Sequence, residues 1–87
     1  MTTDADREIL ADMGQTLYGT RWQSDLARAL GVGDRRVREW VNGERSIPPA
    51  VWVAMEELLA ERWEACRRLT RTAHKRAREE LQAAMGL

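Results

Sequence analysis

Arg35, Arg36, Arg38 and Glu39 fall within five positions, directly after Asp34. A guanidinium is a rigid fork of donors that fits the O6 and N7 acceptors of guanine, and a glutamate can accept from the N4 amino group of cytosine. Side chains of these types on the free face of a helix could therefore read a G·C-containing duplex. The expected base-reading set is Asp34, Arg35, Arg36, Arg38 and Glu39. Glu39 has a second possible role as an intrahelical ion-pair partner, because Arg35 and Arg36 lie four and three residues before it. Asn42 and Arg45 follow the run and suit sugar-phosphate contacts, which set register without reading sequence.

Such a face needs a support. Residues 23–43 read as two short helices and a turn, from about Trp22 to Leu30 and from about Asp34 to Asn42. Leu26 and Leu30 form the buried stripe of the first, and Val37, Trp40 and Val41 that of the second. Where two helices cross steeply over a tight turn, the crossing point needs a small side chain and the turn a residue without Cβ. Ala27 and Gly31 meet those demands. Asp34 is suited to cap the second helix and Gly43 to close it in the left-handed conformation. With Val37, Trp40 and Val41 inward, Arg35, Glu39 and Asn42 point away, and Arg36 and Arg38 lie on the two flanks.

Gln23, Ala27, Gly31, Val37, Trp40 and Asn42-Gly43, followed by Ile47-Pro48-Pro49 leading into a further helix, resemble the helix-turn-helix of the Cro and phage-repressor family. The resemblance spans roughly residues 9–60. It implies sequence-specific binding to double-stranded DNA, and it gives Gln23, at the head of its helix, a phosphate-positioning role. Backbone N–H groups and the positive dipole end favour an anion at that place.

Composition bounds the rest. Eighty-seven residues allow one domain, and a 44% hydrophobic, 32% charged chain is globular. A domain this small buries only ~60% of its unfolded surface, so a partner subunit would add stability. One cysteine excludes an internal disulfide, and one histidine leaves no metal-ligand spacing. The adjacent carboxylates Glu56/Glu57 and Glu79/Glu80 accompany no nucleophile and no phosphate loop, so the expectation is no enzyme, no cofactor, no metal and no small-molecule effector. No apolar run approaches a membrane span and the N-terminus lacks a signal-peptide layout, which implies a cytoplasmic protein without a membrane partner. Formal net charge is zero. The charge is segregated, however. Residues 1–19 hold four acids against Arg7, residues 20–45 six arginines against four acids, and residues 62–78 seven bases against Glu64. Non-specific DNA affinity should accordingly be modest and salt-dependent.

Ahead of this unit, Thr3 or Asp4 can cap a helix with the stripe Ile9, Leu10, Met13 and Leu17, ended by Gly19. Tyr18 and Trp22 should seal it against the next helix. From Ala50 to Met85 there is neither Gly nor Pro, and apolar residues recur at steps of three and four. That stretch should be helical and ~54 Å long if unbroken. It either kinks near Thr70–Thr72 or overhangs onto a partner subunit. The predicted fold class is all-α, a small helical bundle containing a helix-turn-helix, with a long or kinked C-terminal helix. Residues 1–60 form the DNA-binding domain and residues 61–87 a dimerising extension, with the face from Trp63 to Leu81 as its seam. A line of Arg67, Arg71, Lys75 and Arg78 faces solvent, DNA backbone, an acidic partner or the Glu56/Glu57 region of a neighbouring subunit. The implied function is a small homodimeric transcriptional repressor of phage or mobile-element type on a palindromic operator. The alternative is a protein-interaction module using the same scaffold.

Overall fold

A computed structural model describes residues 2–86; Met1 and Leu87, the end residues of the two segments just delimited, lie outside the described residues. The order is α1 (Asp4–Tyr18), a 3-10 turn (Gly19–Arg21), α2 (Trp22–Leu30), α3 (Asp34–Asn42) and α4 (Pro49–Ala84). Regular structure among the described residues is helical throughout, so the protein is a small all-α bundle.

Thr3, rather than Asp4, caps α1. Its hydroxyl accepts from the Asp6 N–H at 3.1 Å and the Asp6 carboxylate accepts from the Thr3 N–H at 3.0 Å, satisfying two amides that a helix start leaves unpaired. Leu10 and Leu17 enter the core and Met13 packs at its edge. Ile9 does not join them. It lies about 100° around the helix from Leu10 and is 45% exposed.

α2 and α3 end alike. Gly31 and Gly43 adopt left-handed φ of 71° and 78°, and the following amides reach back, Val32 N–H to Ala27 O at 2.9 Å and Glu44 N–H to Glu39 O at 2.9 Å. Each helix is thus closed by a Schellman turn that pairs its last carbonyls. At Gly31 nothing lies within 4 Å of an added Cβ. The turn's need for a residue without Cβ therefore comes from the positive φ at Gly31 and not from crowding. Gly31→Val should cost about 1–2 kcal/mol, readable as a lowered midpoint in thermal unfolding. The crossing itself is served by Ala27, which is fully buried.

Leu10, Leu26, Val37, Trp40 and Met55 are the largest fully buried side chains, so one core draws on all four α-helices. The Trp40 indole N–H has no acceptor among the described residues; its burial is sustained by the apolar area of the ring. Trp22 is also buried, with Tyr18 half-buried beside the connection, as expected. Its ring lies against Gly14, where an added Cβ would stand 2.5 Å from Cδ2 and 2.8 Å from Cζ3.

Pro48 is extended at φ −66°, ψ 147° and Pro49 takes the first position of α4, where a missing N–H costs nothing. Just before it the Ile47 N–H donates to Thr2 Oγ1 at 2.7 Å, tying the N-terminus across the start of α4. Val51 and Met55 anchor α4 in the core, with Leu58 and Leu59 at its margin. Beyond them the helix leaves the body. The Thr70 and Thr72 hydroxyls donate to the Cys66 and Arg68 carbonyls, and α4 continues through both without the alternative kink. The long axis is 61 Å and the radius of gyration 18.3 Å, against ~12 Å for a compact chain of this length.

Candidate nucleic-acid interface

α3 is two-sided. Val37 and Trp40 are buried and Val41 half-buried, whereas Asp34, Arg35, Arg36, Arg38 and Asn42 are exposed. Three guanidinium groups thus stand on one short helix whose inner face is locked into the core. The helix cannot rotate without exposing Trp40.

Glu39 is placed differently from its neighbours, with a side chain only 16% exposed. Its Oε1 lies 3.2 Å from Arg35 Nε, and Arg45 Nε donates to Oε2 at 2.7 Å. Both carboxylate oxygens are therefore engaged. The intrahelical partner is Arg35 rather than Arg36, and Arg45, expected at the backbone, folds back after the Gly43 turn as the second. The Arg45 hydrogen bond, with the charges of Arg45, Arg35 and Arg36, holds the Glu39 carboxyl below the usual glutamate range against the opposing effect of desolvation. A depressed folded-state pKa stabilises above the unfolded value, and that contribution is lost as pH falls through the folded one. The melting difference between wild type and Glu39→Gln should therefore be present at neutral pH and close below about pH 4. A difference that persisted unchanged into acid would show that the ion pairs contribute nothing.

Asp34 does not cap α3. Gly33 holds the extended N-cap position at φ −78°, ψ 153°, and Asp34 is the first helical residue, where its charge complements the dipole. Its Oδ2 accepts from Ser24 Oγ at 3.0 Å, pinning the first turn of α3 to the first turn of α2. Gln23 is half-buried in that turn of α2 and lines a shallow depression with Thr20, Arg21, Ser24 and Asp25. A second depression is lined by Gly33, Arg35, Arg36, Glu39 and Arg45. Arg35, Arg36, Glu39 and Arg45 are thus gathered at one place, and Asp34 joins them to the α2 terminus through Ser24. Arg38 and Asn42 line neither depression and stand free on α3.

Two contributors escaped the sequence reading. Ser24 carried no motif, and only the ten-residue span to Asp34 across a helix-turn-helix could have suggested their bond. Arg7 lies over the α3 terminus, with Nη1 2.7 Å from where a Gly43 Cβ would be, and its distance in sequence hid it. Among the described residues no group of His, Cys, Asp or Glu could hold a metal ion. Among the described residues no helix is long and apolar enough to cross a membrane.

Residues 19–71 match the family model described as bacterial toxin YdaS, more than half of the chain. The chain belongs to that family. The YdaS match opens at the 3-10 turn, takes in α2 and α3 whole and ends within α4. It therefore contains every residue of the candidate interface except Arg7 and leaves α1 and the end of α4 outside. Membership makes the chain a small helical, phage-type protein built on a helix-turn-helix. The likeness to Cro and phage repressors rests on the helix-turn-helix residues alone. No curated protein and no solved structure matches the chain.

Proposed function

We propose that this YdaS-family protein binds double-stranded DNA in a sequence-specific manner and acts as a small transcriptional regulator, a repressor of its own or a neighbouring operon. The observation that carries this reading is the exposed side of α3, with Arg35 opposite the buried Val37–Trp40 stripe and Arg36 and Arg38 on its two flanks. On this reading α3 enters the major groove, Arg35, Arg36 and Arg38 meet guanine edges or phosphates, and the α2 terminus at Gln23 takes a phosphate. Asn42 contacts the backbone after α3. Glu39 and Asp34 act by holding Arg35, Arg45 and the α2 terminus in place, with Glu39 Oε1 freed to accept from cytosine where Arg35 moves onto a base and Oε2 kept on Arg45. Regulation follows protein concentration.

Arg35→Ala should lose about 1–3 kcal/mol on the preferred duplex and relax preference at one base pair, whereas Gln23→Ala should weaken all duplexes alike. Competition binding at fixed salt separates the two. Unchanged affinity and preference in Arg35→Ala would remove α3 from the groove. The zero net charge favours a second reading, in which the same face docks on an acidic protein; there the losses would appear on that protein and not on DNA.

A further inference from the structure

The apolar stripe that seats α4 in the core does not stop where the core stops. Val51, Met55 and Leu59 face the body, and at helical spacing Trp63, Cys66, Leu69, Ala73, Ala77 and Leu81 continue the same side of the helix. On this continuation Trp63, Leu69 and Leu81 are 62%, 58% and 62% exposed. A 36-residue helix thus carries one interface whose first part is covered by its own chain and whose remainder is bare.

The spacing of that stripe identifies its occupant. Reading outward from Cys66 in either direction, apolar residues recur after three and then four positions, Trp63 and Leu59 one way and Leu69 and Ala73 the other, while Met55 and Val51 further in are closed off by the chain's own core. A pattern symmetric about one residue is what a two-fold antiparallel pair requires, since each position meets its mirror image. We infer that α4 pairs with α4 of a second copy, antiparallel, with the two-fold axis at Cys66. The pairing deepens the dimer expected of a DNA-binding regulator but does not depend on DNA binding.

Side-chain sizes and charges agree with this register. Leu59 would meet Ala73 of the second copy and Trp63 would meet Leu69, the larger residue facing the smaller in each, with Cys66 against Cys66 at the axis, over ~21 Å. Residues 56–64 carry Glu56, Glu57, Glu61 and Glu64 against Arg62, whereas residues 67–78 carry Arg67, Arg68, Arg71, Lys75, Arg76 and Arg78. An antiparallel pair lays the acidic stretch beside the basic one, and a parallel pair lays bases on bases. Glu56 and Arg78 lie on the same flank of the stripe, the flank that faces itself in a two-fold antiparallel pair. Arg67, next to the axis, is already drawn to its own chain by Glu64 at 3.7 Å and by the Trp63 ring at 5.2 Å. The two Met55 residues would stand about 33 Å apart along the helices, close to the ~34 Å between successive major grooves on one face of DNA.

Cross-linking of the full chain tests the register. In a Cys66→Ala background, Leu59→Cys and Ala73→Cys variants are prepared separately, checked for an intact thermal transition, and oxidised with diamide alone and after mixing. The inferred register gives a disulfide dimer in the mixture and none in either variant alone, because like positions stand ~21 Å apart. Dimers in each variant alone would mean parallel helices and overturn the inference. Sedimentation supplies the second measurement. Intact protein should be dimeric at micromolar concentration, and Leu69→Glu, at an exposed position, should be a folded monomer; a monomeric intact protein would remove the seam altogether. Neither result refers to DNA, so a dimer that binds no duplex would sink the regulator reading and leave the pairing standing.

Discussion

Gly14→Ala should lower the thermal midpoint by roughly 10 °C or more, although alanine is the better helix former. The added methyl would overlap the Trp22 ring, 2.5 Å from Cδ2 and 2.8 Å from Cζ3, and neither atom belongs to a flexible chain end. Trp22 is 4% exposed and sits at the start of α2, so moving the ring moves the helix that sets the angle of α3. Overpacking of a closed core typically costs about 1–3 kcal/mol, and each kcal/mol lowers the midpoint of a domain this size by about 4–8 °C. Gly33→Ala is the control. It has negative φ and open space around its Cβ, and should shift the midpoint much less. Equal shifts in the two variants, followed by circular dichroism on heating, would mean that the Gly14–Trp22 contact does not set the packing of α1 on α2.

The second large effect is expected at the interface. Replacing Arg35, Arg36 and Arg38 together by alanine should weaken binding to the preferred duplex by at least about 100-fold, on the scale of about 1 kcal/mol or more per arginine. The fold should survive, because all three side chains are exposed and Val37 and Trp40 still close the core. The salt dependence should flatten as well, since each phosphate that no longer meets an arginine takes about one from the slope of log affinity against log salt. Titration of a labelled duplex at several salt concentrations reads both quantities. Undiminished affinity in a folded triple variant would place the DNA-binding surface elsewhere.

What the sequence revealed and what it hid divide along the range of the interactions involved. The ends of α2 and α3 were legible because Gly31 and Gly43 stand at left-handed turns that close apolar stripes, and both signals are local. Pro48-Pro49 marked the start of α4 for the same reason. Asp34 misled because a capping residue and an acid in the first turn look alike in sequence; the structure gives the cap to Gly33 and the Asp34 carboxylate to Ser24. Glu39 was visible as a possible partner of Arg35, but its tighter bond to Arg45 depends on a Schellman turn reversing the chain after Gly43. Gly14 was invisible, since its role exists only once Trp22 arrives from another helix. Ile9 was misassigned because a stripe one residue too wide still satisfies helical spacing, and only the packed bundle shows which edge faces out.

Reading of double-stranded DNA by α3 is the step on which the proposed function stands. Selection of bound duplexes from a random pool by the intact protein, at near-physiological salt, tests it most directly. One short G·C-containing motif should be enriched, present as two inverted copies centred about 10 base pairs apart or a multiple of that. A folded protein that enriched no motif over successive rounds would contradict it.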